Sequence, residues 1–372
     1  MKKRTRFTIL LTCIACFLVV SPVLVFYSMG YRLDLEKMKI TLTGGIYVRT
    51  FPTADKITFD SKTSEKPAIF SNSVFKQSLL PNPHTVLVEK NGYYDYYKTV
   101  TVQEKQVTKL ENILLFKKNI QFVTITDQAQ SPFNNKDKFL IKNNNLYYSN
   151  IIENNILTAT QRATPVLQKI IAYDFQNNNI VWLGTNGFLY KSDLTNLSTE
   201  PVKITPTPLK INRTGIYKII SNNNNIFINN NGNLLVLDNK KGELNDFYSP
   251  ITDAKISPDG KNIVFYKDNA IYLSPTGLTL EEKYSLYKSP DKINNLVWLN
   301  NSYIIFTSGN KITISEIDYR GNINSITLPQ VMTLQDNEEI IIKNPQIFFN
   351  PQENNLYVLT DKTLLVSEKL VP

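Results

Sequence analysis

The sequence has few of the residues that disulfide frameworks, metal sites and nucleophilic triads require. It contains two cysteines and one histidine in 372 residues. Cys13 and Cys16 both lie in the first hydrophobic segment, so the rest of the chain can hold neither a disulfide framework nor a thiolate metal site. His84 has no cluster of cysteines or carboxylates with ligand spacing around it, which favours a structural residue at a strand edge. We therefore expect no metal, no cofactor and no catalytic residues.

Acidic residues are scarce only towards the N-terminus. The net charge is +9; residues 1–40 carry seven Lys and Arg against two Asp and Glu, and residues 41–118 carry eleven against seven. Residues 119–372 carry 23 of each sign. Nucleic-acid binding needs clustered cations that displace counterions from phosphates. We therefore expect no nucleic acid among the partners.

The N-terminal segment has the pattern of a membrane anchor. Four cations in the first six residues precede an uncharged stretch, 7–31. A helix over residues 8–27 would be about 30 Å long, which matches the hydrocarbon core of a bilayer. Cations flank the cytoplasmic end of a membrane helix. We predict a cytoplasmic tail at 1–7, a transmembrane signal-anchor helix at 8–30 in the lipid bilayer, and a single-pass protein of the cell membrane whose bulk is extracytoplasmic.

Other interpretations of this segment stay open. A cleaved signal peptide has an apolar region of about 7–15 residues and a small-x-small exit, to which Ser28-Met29-Gly30 is a poor match. A lipoprotein attached through Cys16 would have little apolar sequence before the cysteine. A sensor would have only the short tail with which to signal. Pro22 is expected to kink the helix rather than end it.

Residues 44–116 change to short runs in which apolar and polar residues alternate. Val86-Leu87-Val88 lies between polar neighbours, and Val100 and Val102 share a face. Runs of this kind, joined by Pro, Gly and Asn turns, predict antiparallel strands, and no helical period competes with them. We predict a small β domain at 44–116.

These residues resemble the PEGA domain, a small β-sandwich-like module of exported and membrane-anchored bacterial and archaeal proteins. The matching segments are 46–52, 57–62, 80–88 and 91–93. Ser61 stands where the family has Gly, Pro83 replaces the turn Gly, and extra residues lie between Lys62 and Ser78. The resemblance implies an extracytoplasmic module that binds a protein or the envelope and has no catalytic residues.

The segment YYDYYK, residues 93–98, suggests a binding surface. Successive strand residues face opposite sides, so its four tyrosines cannot all be buried on one face. We name Tyr94, Tyr96, Tyr97 and Lys98 as a possible binding surface. Exposed tyrosine beside lysine could stack on sugars or lie at the level of membrane headgroups. Ordinary exposed strand aromatics are the alternative.

A hairpin pattern recurs in the large C-terminal region. Each repeat begins with an apolar residue, which we call a repeat anchor. An apolar triplet follows the repeat anchor seven positions later, or six positions later in one case. A polar turn and another apolar run come after the triplet. The repeat anchors are Tyr173, Ile219, Ile256, Trp298 and Phe349, and they are 46, 37, 42 and 51 residues apart. Periods of about 40–50 residues with several strands per unit are typical of β-propeller blades. A weaker unit at 139–148 brings the count to about six.

Ring closure explains why such units would repeat. A single blade has two apolar faces that it cannot bury alone, whereas neighbours in a ring bury them and leave no long exposed edge. The last unit ends at its third strand, so we predict that 119–126 supplies the fourth. The turn SPDG at 257–260 and its degraded copy NPQE at 350–353 resemble the turn of WD40-like and TolB-type repeats. We predict an all-β chain with a propeller of about six blades at 119–372.

The functional prediction follows from what these units lack. The adjacent carboxylates Glu281-Glu282 and Glu338-Glu339 fall on opposite strand faces or in loops, which disfavours acid–base catalysis. We expect a non-enzymatic binding or scaffold protein that engages an unknown protein or an envelope polysaccharide. The alternative is an exported propeller enzyme acting on glycans or peptides, which would need carboxylates or tyrosines that converge at the centre of the ring.

Overall fold

The chain divides into two compact units. The first comprises residues 1–119 with 320–324 and 371–372, and the second comprises 120–319 with 325–370. The computed structural model describes residues 3–35, 37–67, 71–127, 139–148, 150–151, 157–158, 165–176, 178–196, 199–222, 224–277, 283–334 and 338–371. Glu281 and Glu282 lie outside the described residues.

The first unit begins with one long helix, α1 (Lys3–Ser28). Residues Phe7–Ser28 are long and apolar enough to cross a membrane, and none of them is buried in the chain. A membrane anchor meets this test of length and composition, and a signal sequence near the N-terminus can meet it as well. The helix runs through Pro22, so the prediction that this proline does not end it is confirmed.

A hairpin and a two-sheet sandwich follow the helix. The hairpin pairs β1 (Tyr31–Asp34) with β2 (Lys39–Leu42). The sandwich strands are β3 (Gly44–Phe51), β4 (Lys56–Phe59), β5 (Thr63–Glu65), β6 (Ser73–Leu79), β7 (Pro83–Glu89), β8 (Tyr96–Thr101) and β9 (Val107–Leu114). One sheet has the order β6-β3-β9 and the other β5-β4-β7-β8.

The sandwich forms because each strand alternates apolar and polar residues. Strand β7 shows this pattern, since His84, Val86 and Val88 are buried and their neighbours are not. The inward residues of both sheets make one apolar core, which includes Ile46 and Phe59. The expectation of antiparallel strands is wrong for one pair, because β3 and β9 run parallel. The chain makes the whole second sheet between them, and such an excursion permits a parallel pair.

The second unit consists of short sheets in chain order. Among its described residues, five sheets have four strands each. The strands are β10 (Phe122–Thr126), β11 (Phe139–Lys142), β12 (Asn145–Tyr148), β13 (Asn150–Ile151), β14 (Leu157–Thr158), β15 (Leu167–Gln168), β16 (Ile170–Gln176), β17 (Asn179–Gly184), β18 (Leu189–Asp193), β19 (Val202–Lys203), β20 (Tyr217–Ser221), β21 (Ile226–Asn230), β22 (Asn233–Asp238), β23 (Glu243–Tyr248), β24 (Asp253–Ile256), β25 (Asn262–Lys267), β26 (Ala270–Pro275), β27 (Tyr284–Lys288), β28 (Ile293–Trp298), β29 (Tyr303–Ser308), β30 (Lys311–Glu316), β31 (Ser325–Thr327), β32 (Val331–Thr333), β33 (Glu339–Ile341), β34 (Gln346–Asn350), β35 (Asn355–Thr360) and β36 (Thr363–Lys369).

Four of these sheets are simple meanders of consecutive strands. They are β16 to β19, β20 to β23, β24 to β27 and β28 to β31, and each contains one of the repeat anchors in its first strand. The weaker unit forms the three-stranded sheet β11-β12-β15. The first strands of neighbouring sheets contact one another in chain order, from β11 through β16, β20, β24 and β28 to β34. The recurring hairpin is therefore one sheet of a repeated series, as in propeller blades.

The last sheet takes a strand from the beginning of the second unit. Its order is β10-β36-β35-β34, so a strand at 122–126 pairs with the strand nearest the C-terminus. The pairing is antiparallel and aligns Phe122 with Ser367 and Val123 with Val366. The prediction that an upstream segment supplies this fourth strand is confirmed.

Candidate functional site

The structure separates the four residues of the predicted binding surface. Tyr97 is 48% exposed and Tyr94 is half-buried, whereas Tyr96 and Lys98 are buried. The prediction of an exposed Tyr96 and Lys98 is therefore wrong. The reason is strand alternation: Tyr96, Lys98 and Val100 share the face of β8 on which the sandwich core lies. Only Tyr97 offers an exposed ring on this strand segment.

The backbone edge of β8 is occupied as well. Segment 320–324 of the same unit supplies asparagine side chains to it. The Thr99 N–H donates to Asn322 Oδ1 at 2.7 Å, and the Tyr97 N–H donates to Asn324 Oδ1 at 3.1 Å. Asn322 Nδ2 donates in turn to the Tyr97 carbonyl at 2.7 Å. A partner could not add a strand here without displacing these amides.

His84 is held as part of the sandwich. Its Nδ1 lies 2.7 Å from Asp60 Oδ2 and its Nε2 lies 2.8 Å from the Leu80 carbonyl oxygen. Asp60 Oδ1 also accepts from the Thr85 N–H at 2.9 Å. Both ring nitrogens thus face acceptors that fix two turns of the sandwich, which is the structural role expected from the sequence.

Four charged side chains and one serine cluster on the first strands of three successive sheets in the second unit. We call Asp174, Lys218, Ser221, Asp253 and Lys255 the first-strand cluster; they lie on β16, β20 and β24. Among the residues that the structure describes, no group of three or more His, Cys, Asp and Glu side chains is placed to hold a metal ion. The first-strand cluster is the candidate site of this unit.

Hydrogen bonds in the cluster run from sheet to sheet. Asp174 Oδ2 accepts from the Ser221 N–H at 2.6 Å and from its hydroxyl at 3.0 Å, and Oδ1 accepts from the Phe175 N–H. Lys218 Nζ lies 2.6 Å and 2.7 Å from the two carboxylate oxygens of Asp253. Each carboxylate thus joins one first strand to the next.

Burial shifts the pKa values of two groups of the first-strand cluster in opposite directions. Burial raises the pKa of Asp174, against the opposing effect of the hydrogen bonds from Ser221 and Phe175. Burial also lowers the pKa of Lys255, and the positive charge of Lys218 lowers it further, while Asp253 and Asp174 oppose this shift. Both directions disfavour the charged forms, as expected for groups taken out of water.

Neighbouring sheets are joined by further polar contacts of the same kind. Trp298 Nε1 donates to the Lys255 carbonyl at 3.1 Å, and the Tyr266 hydroxyl donates to the Asn294 carbonyl at 3.3 Å. Gln176 Nε2 donates to the Asn222 carbonyl at 2.5 Å. Such contacts recur from one sheet to the next and hold neighbouring sheets in a fixed alignment.

The unfolding free energy of the second unit should depend on pH through the titration of Asp174. Because its pKa is raised, the folded unit binds this proton more tightly than the unfolded chain does. The contribution of Asp174 to stability is therefore fully present below the ordinary carboxyl pKa and is lost as pH rises through the raised one, by about 1.4 kcal/mol per unit of pKa difference. We expect Asp174→Asn to remove this fall.

Urea unfolding between about pH 4 and pH 8 measures this effect. Both tryptophans, Trp182 and Trp298, lie in the second unit, so their emission reports its unfolding. Asp246→Asn, at an exposed carboxylate, is the matched control and should keep the parent pH dependence. An unchanged pH dependence in Asp174→Asn would show that this carboxyl is not titrated differently in the folded unit.

Comparisons with known proteins add little to this geometry. No family model matches the chain, and no curated protein matches it. Among solved structures, it is similar to the Cps50 (Swd1) β-propeller domain of Myceliophteria thermophila, at 12% sequence identity and a TM-score of 0.38. The match covers 52% of this chain and 62% of that one, less than two thirds of its length. The sheet order, and not this likeness, supports a propeller.

Proposed function

We propose that this chain is a membrane-anchored extracytoplasmic scaffold that binds a protein or a cell-envelope polymer without catalysing a reaction. The helix α1 holds it in the cell membrane with the N-terminus in the cytoplasm. The first unit is a PEGA-like spacer or binding module, and the second unit is a closed β-propeller of about six blades that presents its loops to the partner.

One observation carries the propeller proposal. First strands contact one another in chain order, and the last sheet is completed by a strand from the start of the unit. A series that begins and ends in the same sheet has both ends fixed together, which is how a ring of sheets closes. Rings of this kind expose loops on two faces, and loops on a rigid scaffold are where binding residues concentrate.

The PEGA-like assignment rests on the sandwich and on one turn. Asp60 and Ser61 have φ values of 51° and 55°, in the left-handed region that favours glycine. Glycine is the family's usual residue at the position of Ser61. The two-sheet core and the His84–Asp60 contact lie at the matching segments.

The membrane and export proposals rest on the N-terminal helix. Apolar side chains are exposed all along Phe7–Ser28, whereas a helix of a soluble protein buries its apolar face. The cations at its N-terminal end favour a cytoplasmic start, because positive residues stay on the cytoplasmic side.

The exported enzyme acting on glycans or peptides is the second candidate, and the first-strand cluster is the observation that favours it. A carboxyl with a raised pKa near an amine with a lowered pKa is an arrangement that also occurs at catalytic sites. Against it, the oxygens of Asp174 and Asp253 already accept hydrogen bonds from neighbouring groups. We therefore favour binding over turnover.

Co-sedimentation of the detergent-solubilised full chain with purified cell-wall polymer, together with cross-linking in intact cells, tests the binding proposal. We expect saturable retention on the polymer or one recurrent cross-linked protein, with no fragment released from the polymer. Asp174→Asn should bind as the parent chain does. Release of soluble fragments by the parent and its loss in Asp174→Asn would establish the enzyme instead, and neither retention nor a recurrent cross-link would reject the scaffold.

A further inference from the structure

The hairpin that follows α1 has its apolar side chains on the outside. Leu33 and Ile40 are directly paired across β1 and β2, and with the turn residues Leu35 and Met38 they form what we call the outward hairpin face. All four side chains are exposed: Leu33 by 56%, Ile40 by 70%, Leu35 by 72% and Met38 by 79%. Paired residues of an antiparallel hairpin share a face, so the exposed apolar groups form one surface.

The opposite face of the hairpin is polar, and two of its residues are buried. Asp34 is fully buried and Thr41 nearly so. Thr41 Oγ1 donates to Glu104, and the Lys37 N–H donates to Asp34 Oδ1 at 3.1 Å. This is the reverse of the usual pattern, in which the apolar face packs on the protein and the polar face meets water. The pattern fits a hairpin whose outer side does not meet water.

The hairpin is fixed to the C-terminal end of the helix. Only Met29 and Gly30 separate α1 from β1. Arg32 Nη1 donates to the Tyr27 carbonyl at 2.7 Å, and its guanidinium carbon lies 3.4 Å from the centroid of the Tyr27 ring. The Thr43 N–H and hydroxyl both donate to the Gly30 carbonyl at 2.9 Å. The outward hairpin face therefore keeps a fixed place next to the helix end.

We propose that the outward hairpin face inserts into the lipid headgroup layer on the extracytoplasmic side of the membrane. This proposal rests on the proposed anchoring by α1. A helix that spans the bilayer ends at the interface, so a hairpin held to that end lies at headgroup depth. Apolar side chains of interfacial elements enter about 5–10 Å into this layer.

Depth-dependent fluorescence quenching of the full chain tests this proposal. Ile40→Trp places a probe on the outward hairpin face, Phe17→Trp places one at the middle of α1, and Ile216→Trp is a control at an exposed position of the second unit. Each variant is placed in phosphatidylethanolamine and phosphatidylglycerol vesicles whose acyl chains carry bromine either near the headgroup or near the chain end. The parent chain supplies the background from Trp182 and Trp298.

The expected order of quenching differs between the probes. The residue 40 probe should lose most of its added emission to bromine near the headgroup and less to bromine near the chain end. The residue 17 probe should show the reverse order, and the residue 216 probe should lose little to either. A quenched residue 17 probe with an unquenched residue 40 probe would overturn the hairpin proposal and leave the anchor intact.

The remaining outcomes also decide between explanations. An unquenched residue 17 probe would reject the membrane anchor and the hairpin proposal with it. Shielding of the residue 40 probe from both brominated lipid and aqueous iodide would show that protein covers the hairpin, and would also overturn the proposal.

Discussion

Phe122→Ala should lower the unfolding free energy of the second unit by about 3–5 kcal/mol, the usual loss when a buried phenylalanine is truncated in a core. Phe122 is 1% exposed in β10, the strand that completes the last sheet. It pairs with Ser367 and makes a backbone bridge to Leu334. Its ring is thus the buried part of the contact that ties the start of the unit to its end.

The adjacent residue provides a matched control for Phe122→Ala. Val123 lies on the same strand, faces the other way and is 40% exposed. We expect Val123→Ala to cost less than about 1 kcal/mol, as surface substitutions do. Urea unfolding followed by tryptophan emission measures both variants. If both substitutions lower the unfolding free energy by the same small amount, β10 does not stabilise the last sheet.

Phe247→Ala is expected to have a similar effect at a junction between two sheets. Phe247 lies on β23, and its ring packs edge to face on Phe227 of the same sheet and Phe265 of the next, with centroid distances of 5.2 Å and 6.3 Å. All three rings belong to one buried cluster. Truncation removes both ring contacts and leaves a cavity, so we expect a loss of about 3–5 kcal/mol.

A smaller substitution at residue 247 separates the effect of lost side-chain volume from the effect of lost ring contacts. Phe247→Leu keeps most of the apolar volume and should cost less than about 1.5 kcal/mol. The measurement is urea unfolding of each full-length variant, with tryptophan emission as the signal. If Phe247→Ala unfolds at the parent's urea concentration, neighbouring sheets do not depend on this cluster for their stability.

The repeated sheets were predictable because their signal is local. Each repeat anchor begins a pair of apolar runs joined by a polar turn, and apolar alternation over a few residues is enough to specify strands. The pairing of β10 with β36 was predictable for another reason, since the last unit lacked a strand and the upstream segment 119–126 was unassigned. The parallel pairing of β3 with β9 has no local signature, because it depends on where the chain returns after the second sheet.

The first-strand cluster was missed by sequence reasoning. Its lysines do have a local signal, since Lys218 and Lys255 each directly precede a repeat anchor, at Ile219 and Ile256. Their contacts cross from one sheet to the next, and sequence spacing within a sheet does not give that distance. The burial of Tyr96 and Lys98 was missed for a related reason. Alternation shows that Tyr96 and Tyr97 face opposite ways, and only the packing of the second sheet decides which face is the core.

We propose that the series of sheets in the second unit closes through the pairing of β10 with β36. Val123 and Val366 are directly paired and neither is buried, so cysteines at both positions can form a disulfide. The test uses a chain in which Cys13 and Cys16 are replaced by serine. The first variant carries Val123→Cys and Val366→Cys. The control variant carries Val123→Cys and Val202→Cys, because Val202 lies on a different sheet. We predict that mild oxidation links the first pair only and raises the unfolding free energy by about 2–5 kcal/mol, because a long loop is closed. Failure of residues 123 and 366 to link, or equal linking of the control pair, would contradict the closed ring.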